Sequence, residues 1–287
     1  KGLELAGRHK IDYVALSFVR SSEDIKSLKD QMNKHGVSSK IVAKIETQKA
    51  IQNLASIVEV ADIVMVARGD LGVEFPFEEV PYFQKMIIKE CLEKGVPVIT
   101  ATQMLESMIE NPYPTRAEIS DVANATFDLT DAVMLSAETA IGAHPSKAVA
   151  TMSRAVMFSE KITNDDVRLR HDYDVHDQTE LLCDAAYNLY FQYRKRKKIK
   201  AFIILTQTGK TARTLSRYRP QIPIFALVPT KQTATVLTIN YGVYPFMMDV
   251  AEPLLRELQN GDMRKASKIL LDKKLLESGD EVIFLFG

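Results

Sequence analysis

Short runs rich in β-branched residues alternate along this chain with amphipathic stretches of helical period, and few folds tolerate that alternation. In the first half the runs span 13–19, 40–45, 63–67, 96–101 and 132–136, and each reads as a strand. Between them lie helix-like segments such as 23–35 and 78–94. The second carries Val80, Phe83, Ile87 and Cys91 at helical spacing before Gly95 ends it. A β-α-β-α order implies parallel strands joined by helical crossovers, as a doubly wound sheet or a closed eight-stranded barrel. The strand ends favour the barrel. Polar or ionisable residues close each run: Ser17, Lys44 with Glu46, Asp70 after Gly69, Thr102, and Ser136 with Glu138. Such residues converge on one mouth of a barrel, where the loops after the strands build the site. A complete barrel of this kind takes about 250 residues. The expectation is therefore a partial TIM (β/α)8 barrel over residues 1–163, about five of the eight βα units, in a chain whose first residue, Lys1, is not a natural start.

The segment 163–177 is polar, charged and poor in aliphatic residues, and reads as a linker. A second α/β domain is expected over 177–287, with a small, mostly parallel sheet. Its predicted strands are 201–205, 222–228, 243–247 and 282–286, and its helices 180–195, 211–218, 231–240 and 250–277, the last broken near Asn260-Gly261. Equal numbers of basic and acidic residues, 37 of each, leave no overall field to draw the chain to nucleic acid or an anionic membrane. Cys91 and Cys183 have no metal-ligand spacing and no disulfide framework around them, and no apolar run is long enough to span a bilayer, so a reducing, cytoplasmic setting is expected.

On the strand 41–45, residues two apart point to one side, so Lys44 and Glu46 both face the mouth. Alone, they read as an ion pair. Asp70, beyond the adjacent strand and between Gly69 and Leu71-Gly72, adds a second carboxylate. Two carboxylates suit Mg²⁺ or Mn²⁺, since magnesium takes one or two plus substrate oxygens. Lys44 then stands where an ammonium stabilises charge on a transferring phosphoryl group. The backbone of Gly69 and Asp70 offers an anion site if it opens a short helix. In the second domain Thr206-Gln207-Thr208-Gly209-Lys210-Thr211 follows a strand and opens a helix, a place for a phosphate or a plain cap. It is not a P-loop, because Ile204 stands where that motif needs glycine. The basic run 194–198 reads as a solvated helix end.

Longer stretches carry a resemblance. Ile41-Val42-Ala43-Lys44-Ile45-Glu46 and Met65-Val66-Ala67-Arg68-Gly69-Asp70-Leu71-Gly72-Val73-Glu74 look like signatures of the pyruvate kinase family. Ala101-Thr102-Gln103-Met104-Leu105-Glu106-Ser107-Met108, Pro114-Thr115-Arg116-Ala117-Glu118, Ser120-Asp121-Val122-Ala123-Asn124-Ala125 and Met134-Leu135-Ser136-Ala137-Glu138-Thr139-Ala140 follow in the family's order. The resemblance implies phosphoryl transfer from phosphoenolpyruvate to ADP, giving pyruvate and ATP. It makes Lys44 the lysine facing the phosphoryl group and enolate, and Glu46 and Asp70 the metal ligands. Thr102 and the backbone of Ala67, Gly69 and Asp70 are implied to hold the substrate carboxylate. Ser136 and Glu138 are implied to orient a proton-delivering water, or else to serve as caps. Residues 206–211 match the phosphate cradle of an effector site, and Arg116 matches a position that reaches a neighbouring subunit of a homo-oligomer, by resemblance a tetramer.

Departures accompany the match. Lys49 and Ala50, and His144-Pro145, replace the family's usual residues. The strands bearing the phosphate-gripping arginine and the K⁺ ligands, the inserted lid domain, and the last strand and effector loop are not within these residues. K⁺ is thus expected from the family without ligands here. Two readings follow: an enzyme of this family, or a non-catalytic binding or assembly fragment that associates with complete subunits. A lyase barrel is a weaker rival, which the Pro114–Glu118 run opposes.

Overall fold

The computed structural model describes residues 2–162, 173–194, 199–247 and 263–287. They form two compact units, Lys1–Asn164 and Asp165–Gly287. In the first, five parallel strands, β1 (Tyr13–Leu16), β2 (Lys40–Ile45), β3 (Ile63–Ala67), β4 (Val98–Ala101) and β5 (Ala132–Val133), lie side by side in chain order. That order decides between the two architectures left open by the sequence. A doubly wound sheet reverses direction at a switch point, whereas right-handed crossovers that never reverse put every helix on one side, as in a barrel wall. The central strand β3 is buried at all five positions.

Local chemistry sets the helix ends. Thr47 accepts from Ala50 N–H at 3.1 Å, and Thr115 forms a capping box with Glu118 at the head of Arg116–Phe127. Gly95 closes Val80–Lys94 in the left-handed region, φ +64°. That helix starts two residues later than its apolar pattern predicts, because Pro76 and Pro81 flank a 3-10 turn, Phe77–Glu79. At the far ends of the strands two aspartates repeat one device. Asp62, just before β3, accepts from Ile41 N–H of β2 at 3.0 Å, and Asp131, just before β5, accepts from Val98 N–H of β4 at 3.0 Å.

Strands are shorter than predicted where the backbone runs out of pairing. Pro97 offers no N–H, so β4 begins at Val98. β5 is reduced to two residues, although Met134 N–H still reaches Thr100 O at 2.9 Å, because the chain turns at Ser136, ψ −100°. The opening helix Gly2–His9 and the helix Pro145–Ile162 complete this unit. No helix among the described residues is long and apolar enough to cross a membrane.

The second unit is a four-stranded sheet, β6 (Ile199–Leu205), β7 (Ile224–Val228), β8 (Val243–Met247) and β9 (Glu281–Phe286), in the order β8-β7-β6-β9. Every pairing in it is parallel. Period two sorts the core: Phe202, Ile204, Ala226 and Val228 pack with Tyr187, Tyr190, Leu215 and Tyr218. Ala201, Ile203, Leu205, Phe225 and Leu227 pack on the other face with Ala266, Leu270 and Leu276. Of the predicted helix 250–277 the structure has Met263–Asp272, while 248–262 lies outside the described residues, as do most of the basic run (195–198) and most of the linker (163–172). The linker's described end is no plain spacer. Tyr173 sets its ring edge-on to Tyr218 at 5.3 Å and donates its hydroxyl to Arg217 O at 3.2 Å.

Candidate active site

Four strand ends of the first unit bring the predicted residues together. Lys44 lies on the β2 face that continues to Glu46, and its Nζ ion-pairs with Glu46 Oε1 while donating to Ser17 Oγ at 3.1 Å. Glu46 is buried, 2 % exposed, and its second oxygen accepts Phe18 N–H at 2.6 Å. Asp70, in the first turn of the helix Arg68–Glu74 that follows β3, is close enough to Glu46 to feel it. Burial pushes the Asp70 carboxyl above its ordinary range and the Glu46 carboxylate adds to this, with Lys44 only partly opposing them. Two ionised carboxylates this near repel each other, and a cation bound by both relieves that repulsion. No group of three or more acidic, histidine or cysteine residues placed to hold a metal ion exists among the described residues. A pair is enough for magnesium, which retains several waters.

Thr102 closes the next wall. It sits just past β4 in the left-handed region, φ +68°, and Gln103 follows at φ +54°. A β-branched residue there is rare and costs on the order of 1–3 kcal/mol, so neighbouring structure must enforce it. Arg68 does so. Its buried guanidinium donates to Thr102 O at 2.6 and 3.2 Å and to Gln103 O at 3.2 Å, and it is held from behind by Asp121 at 2.7 Å and Gln84 at 3.3 Å. The Thr102 hydroxyl thereby accepts Gly69 N–H at 2.8 Å, which also occupies an amide expected to face substrate. A β-carbon on Gly69 would stand 3.4 Å from that hydroxyl oxygen, about ordinary van der Waals contact, so the hydrogen bond does not by itself demand a glycine.

Ser136 and Glu138 lie at the turn after β5, where Glu138 is tied to backbone. Both Glu138 oxygens are engaged by backbone, Ser136 N–H at 2.8 Å and Leu105 N–H at 3.2 Å, and the side chain is 3 % exposed. It fastens the loop after β5 to the loop after β4. Glu118 does the same nearby: burial raises its carboxyl, but hydrogen bonds from Ser107 and Thr115 outweigh that and hold it below the usual range. Arg116, at the head of the same helix, is exposed and has no ion pair among the described residues. A cleft of about 380 Å³ opens behind Arg68, lined in part by Phe77, Gln84, Gln103 and Asp121. Its aspartates, Asp121 and Asp128, are already paired with Arg68 and Lys85, so the reactive groups gather at the strand mouth instead.

In the second unit the strand order reverses between β6 and β9, and Thr206–Thr211 lies at the carboxyl end of β6, beside that switch point, where open α/β sheets take ligands. The turn satisfies part of itself. Gly209, φ +80°, donates to Thr206 Oγ1 at 3.1 Å, Lys210 ion-pairs with Asp177, and Thr211 is buried, while Gln207 and Thr208 are exposed. A β-carbon at Gly209 would meet Leu237 Cδ2 at 2.9 Å. Gly209→Ala is therefore expected to destabilise this unit by roughly 1–3 kcal/mol, from left-handed strain plus the displaced leucine. Urea unfolding checks it; an unmoved midpoint refutes the strain.

Two family models match the chain: the pyruvate kinase barrel domain over residues 1–149 and the pyruvate kinase alpha/beta domain over 184–287. The chain belongs to the pyruvate kinase family. A pyruvate kinase of Clostridium acetobutylicum is 45 % identical over 249 residues, 84 % of this chain and 51 % of that protein. One of Thermotoga maritima is 42 % identical over 287 residues, 99 % of this chain and 59 % of that protein. A crystal structure of a pyruvate kinase from Cryptosporidium parvum superposes with a TM-score of 0.89 at 35 % identity, covering 99 % of this chain and 58 % of that one. The chain thus spans between half and three-fifths of the length of these pyruvate kinases. Sequence reasoning gave no role to Arg68, whose partners lie far from it along the chain.

Proposed function

We propose that these residues serve transfer of the phosphoryl group of phosphoenolpyruvate to ADP, giving pyruvate and ATP. The observation that carries this reading is the Lys44 ammonium held between Ser17 and Glu46, beside an Asp70 carboxylate crowded against Glu46. In the reaction the bond from the enol oxygen to phosphorus breaks, a β-phosphate oxygen of ADP bonds to phosphorus, and the enolate takes a proton at its methylene carbon. Mg²⁺ or Mn²⁺ held by Glu46 and Asp70 would neutralise charge on the phosphoryl oxygens. Lys44 stabilises the charge that develops on the transferring group and on the enolate. The Thr102 loop, fixed by Arg68, and the backbone of Ala67, Gly69 and Asp70 orient the substrate carboxylate, which requires it to displace the Thr102 hydroxyl from Gly69 N–H. Glu138 acts as a positioning group for the Leu105 and Ser136 backbone. A cytoplasmic enzyme follows from these substrates. K⁺ stays an expectation of the family.

A coupled assay for pyruvate, on a protein carrying these residues at the relatives' full length, tests the reading; no divalent-dependent turnover would sink it. In that protein Glu46→Gln and Asp70→Asn are each expected to raise the apparent Mg²⁺ constant by about tenfold or more, each removing a charged oxygen from a site with few. If neither moves it, the carboxylates form only an ion-pair network.

We further propose a homo-oligomer in which the exposed Arg116 reaches a neighbouring subunit, and an anion site for a phosphorylated effector at Thr206–Thr211. Arg116→Ala is expected to weaken association and substrate affinity together. Unchanged sedimentation with unchanged kinetics counts against it.

A further inference from the structure

The geometry points to Ser17 as the residue that positions Lys44, an inference resting on the reading of Lys44 given above. The register places it there. Ala15 of β1 lies opposite Val42 of β2, so the residue two further along shares the face of Lys44. An ammonium has three N–H donors. One meets Glu46, one meets Ser17 Oγ at 3.1 Å, and the third is left for an oxygen at the mouth. Glu46 alone is a poor guide for the lysine, because the same carboxylate is wanted by a divalent cation. Ser17 is a neutral acceptor whose hold does not depend on that cation. The residue after it reinforces the arrangement: Phe18 is left-handed, φ +55°, its ring is exposed, and its N–H is spent on Glu46 Oε2 at 2.6 Å. One turn after β1 therefore sets both members of the Lys44–Glu46 pair, and the serine hydroxyl is the part of it that addresses the ammonium.

The test compares Ser17→Ala, Ser17→Thr, Lys44→Met and the double variant Ser17→Ala with Lys44→Met in the full-length protein. Ser17→Ala is expected to lower kcat about 10- to 100-fold, as loss of alignment near the reacting atoms does, while leaving KM for ADP near the parent value. Ser17→Thr keeps the hydroxyl and is expected to recover most of that loss. The double variant is expected to be no worse than Lys44→Met alone, since both act through one group. Ser17 is exposed, so the melting temperature should not move. Ser17→Ala at parental kcat beside an inactive Lys44→Met overturns the inference and leaves the role of Lys44 standing. So do losses that add in the double variant, or that follow a fallen melting temperature. Parental activity in Lys44→Met removes both.

Discussion

Lys44→Met, in a protein of the relatives' full length, is expected to cut turnover by about 10²–10³-fold, the usual consequence of removing one preorganised donor from a developing charge. Methionine keeps the length and apolar stem of the lysine and removes only the ammonium. Glu46 retains Phe18 N–H and Asp70 retains its place in the helix Arg68–Glu74, so both carboxylates remain available to a divalent cation. The discriminating measurement is Mn²⁺ affinity on the same sample. A fall in turnover with an intact metal constant supports a role in the transition state, whereas turnover within about twofold of the parent would reduce Lys44 to a structural ion pair. Lys44→Arg should not rescue, because the planar fork is longer and cannot occupy the point between Ser17 and Glu46.

The second large effect belongs to Arg68. Arg68→Met deletes the donors to Thr102 O and Gln103 O and takes away the partner of Asp121 and of Gln84 Oε1, while Gln84 Nε2 keeps Asp128. Breaking a buried pair costs about 3–5 kcal/mol, and the lower figure applies because the Asp121 side chain is 34 % exposed and water can take over part of its solvation. For a unit of this size about 3 kcal/mol corresponds to a fall in Tm of roughly 6–12 °C. Activity should fall further than folding alone explains, since the left-handed Thr102–Gln103 turn loses its enforcement and Gly69 its hydroxyl partner. Calorimetry and the coupled assay run above and below the lowered Tm separate the two losses. A variant with parental Tm and turnover would show that the turn is held by something else.

Much of the fold was legible because alternating periods are a local property. β2, β3 and β8 fall on the bounds the sequence predicts, the first two as runs rich in β-branched residues and β8 as a short apolar and aromatic run, Val243–Met247. The barrel-like order of β1 to β5 was legible only through the polar strand ends, and the reversal between β6 and β9 was not legible at all, since nothing local records which strand lies next to which. The same reason hid the work of Arg68, whose partners stand 16 to 53 residues away along the chain. Lys44, Glu46 and Asp70 could be read because their chemistry sits at strand ends and in a long motif. Glu138 was harder. A carboxylate at a strand end does not show in the sequence that it also ties down two backbone amides, and only the structure reveals those bonds.

Asp62 and Asp131 have a practical consequence. Each lashes the start of one strand to the start of the next, so these fastenings lie at the opposite end of the sheet from Lys44, Asp70 and Thr102. The fastenings and the candidate site thereby stand at different ends of the same strands. Selection, or a protein engineer, can vary the fastening end to adapt the barrel to heat or cold, with the chemistry at the mouth left to its own constraints.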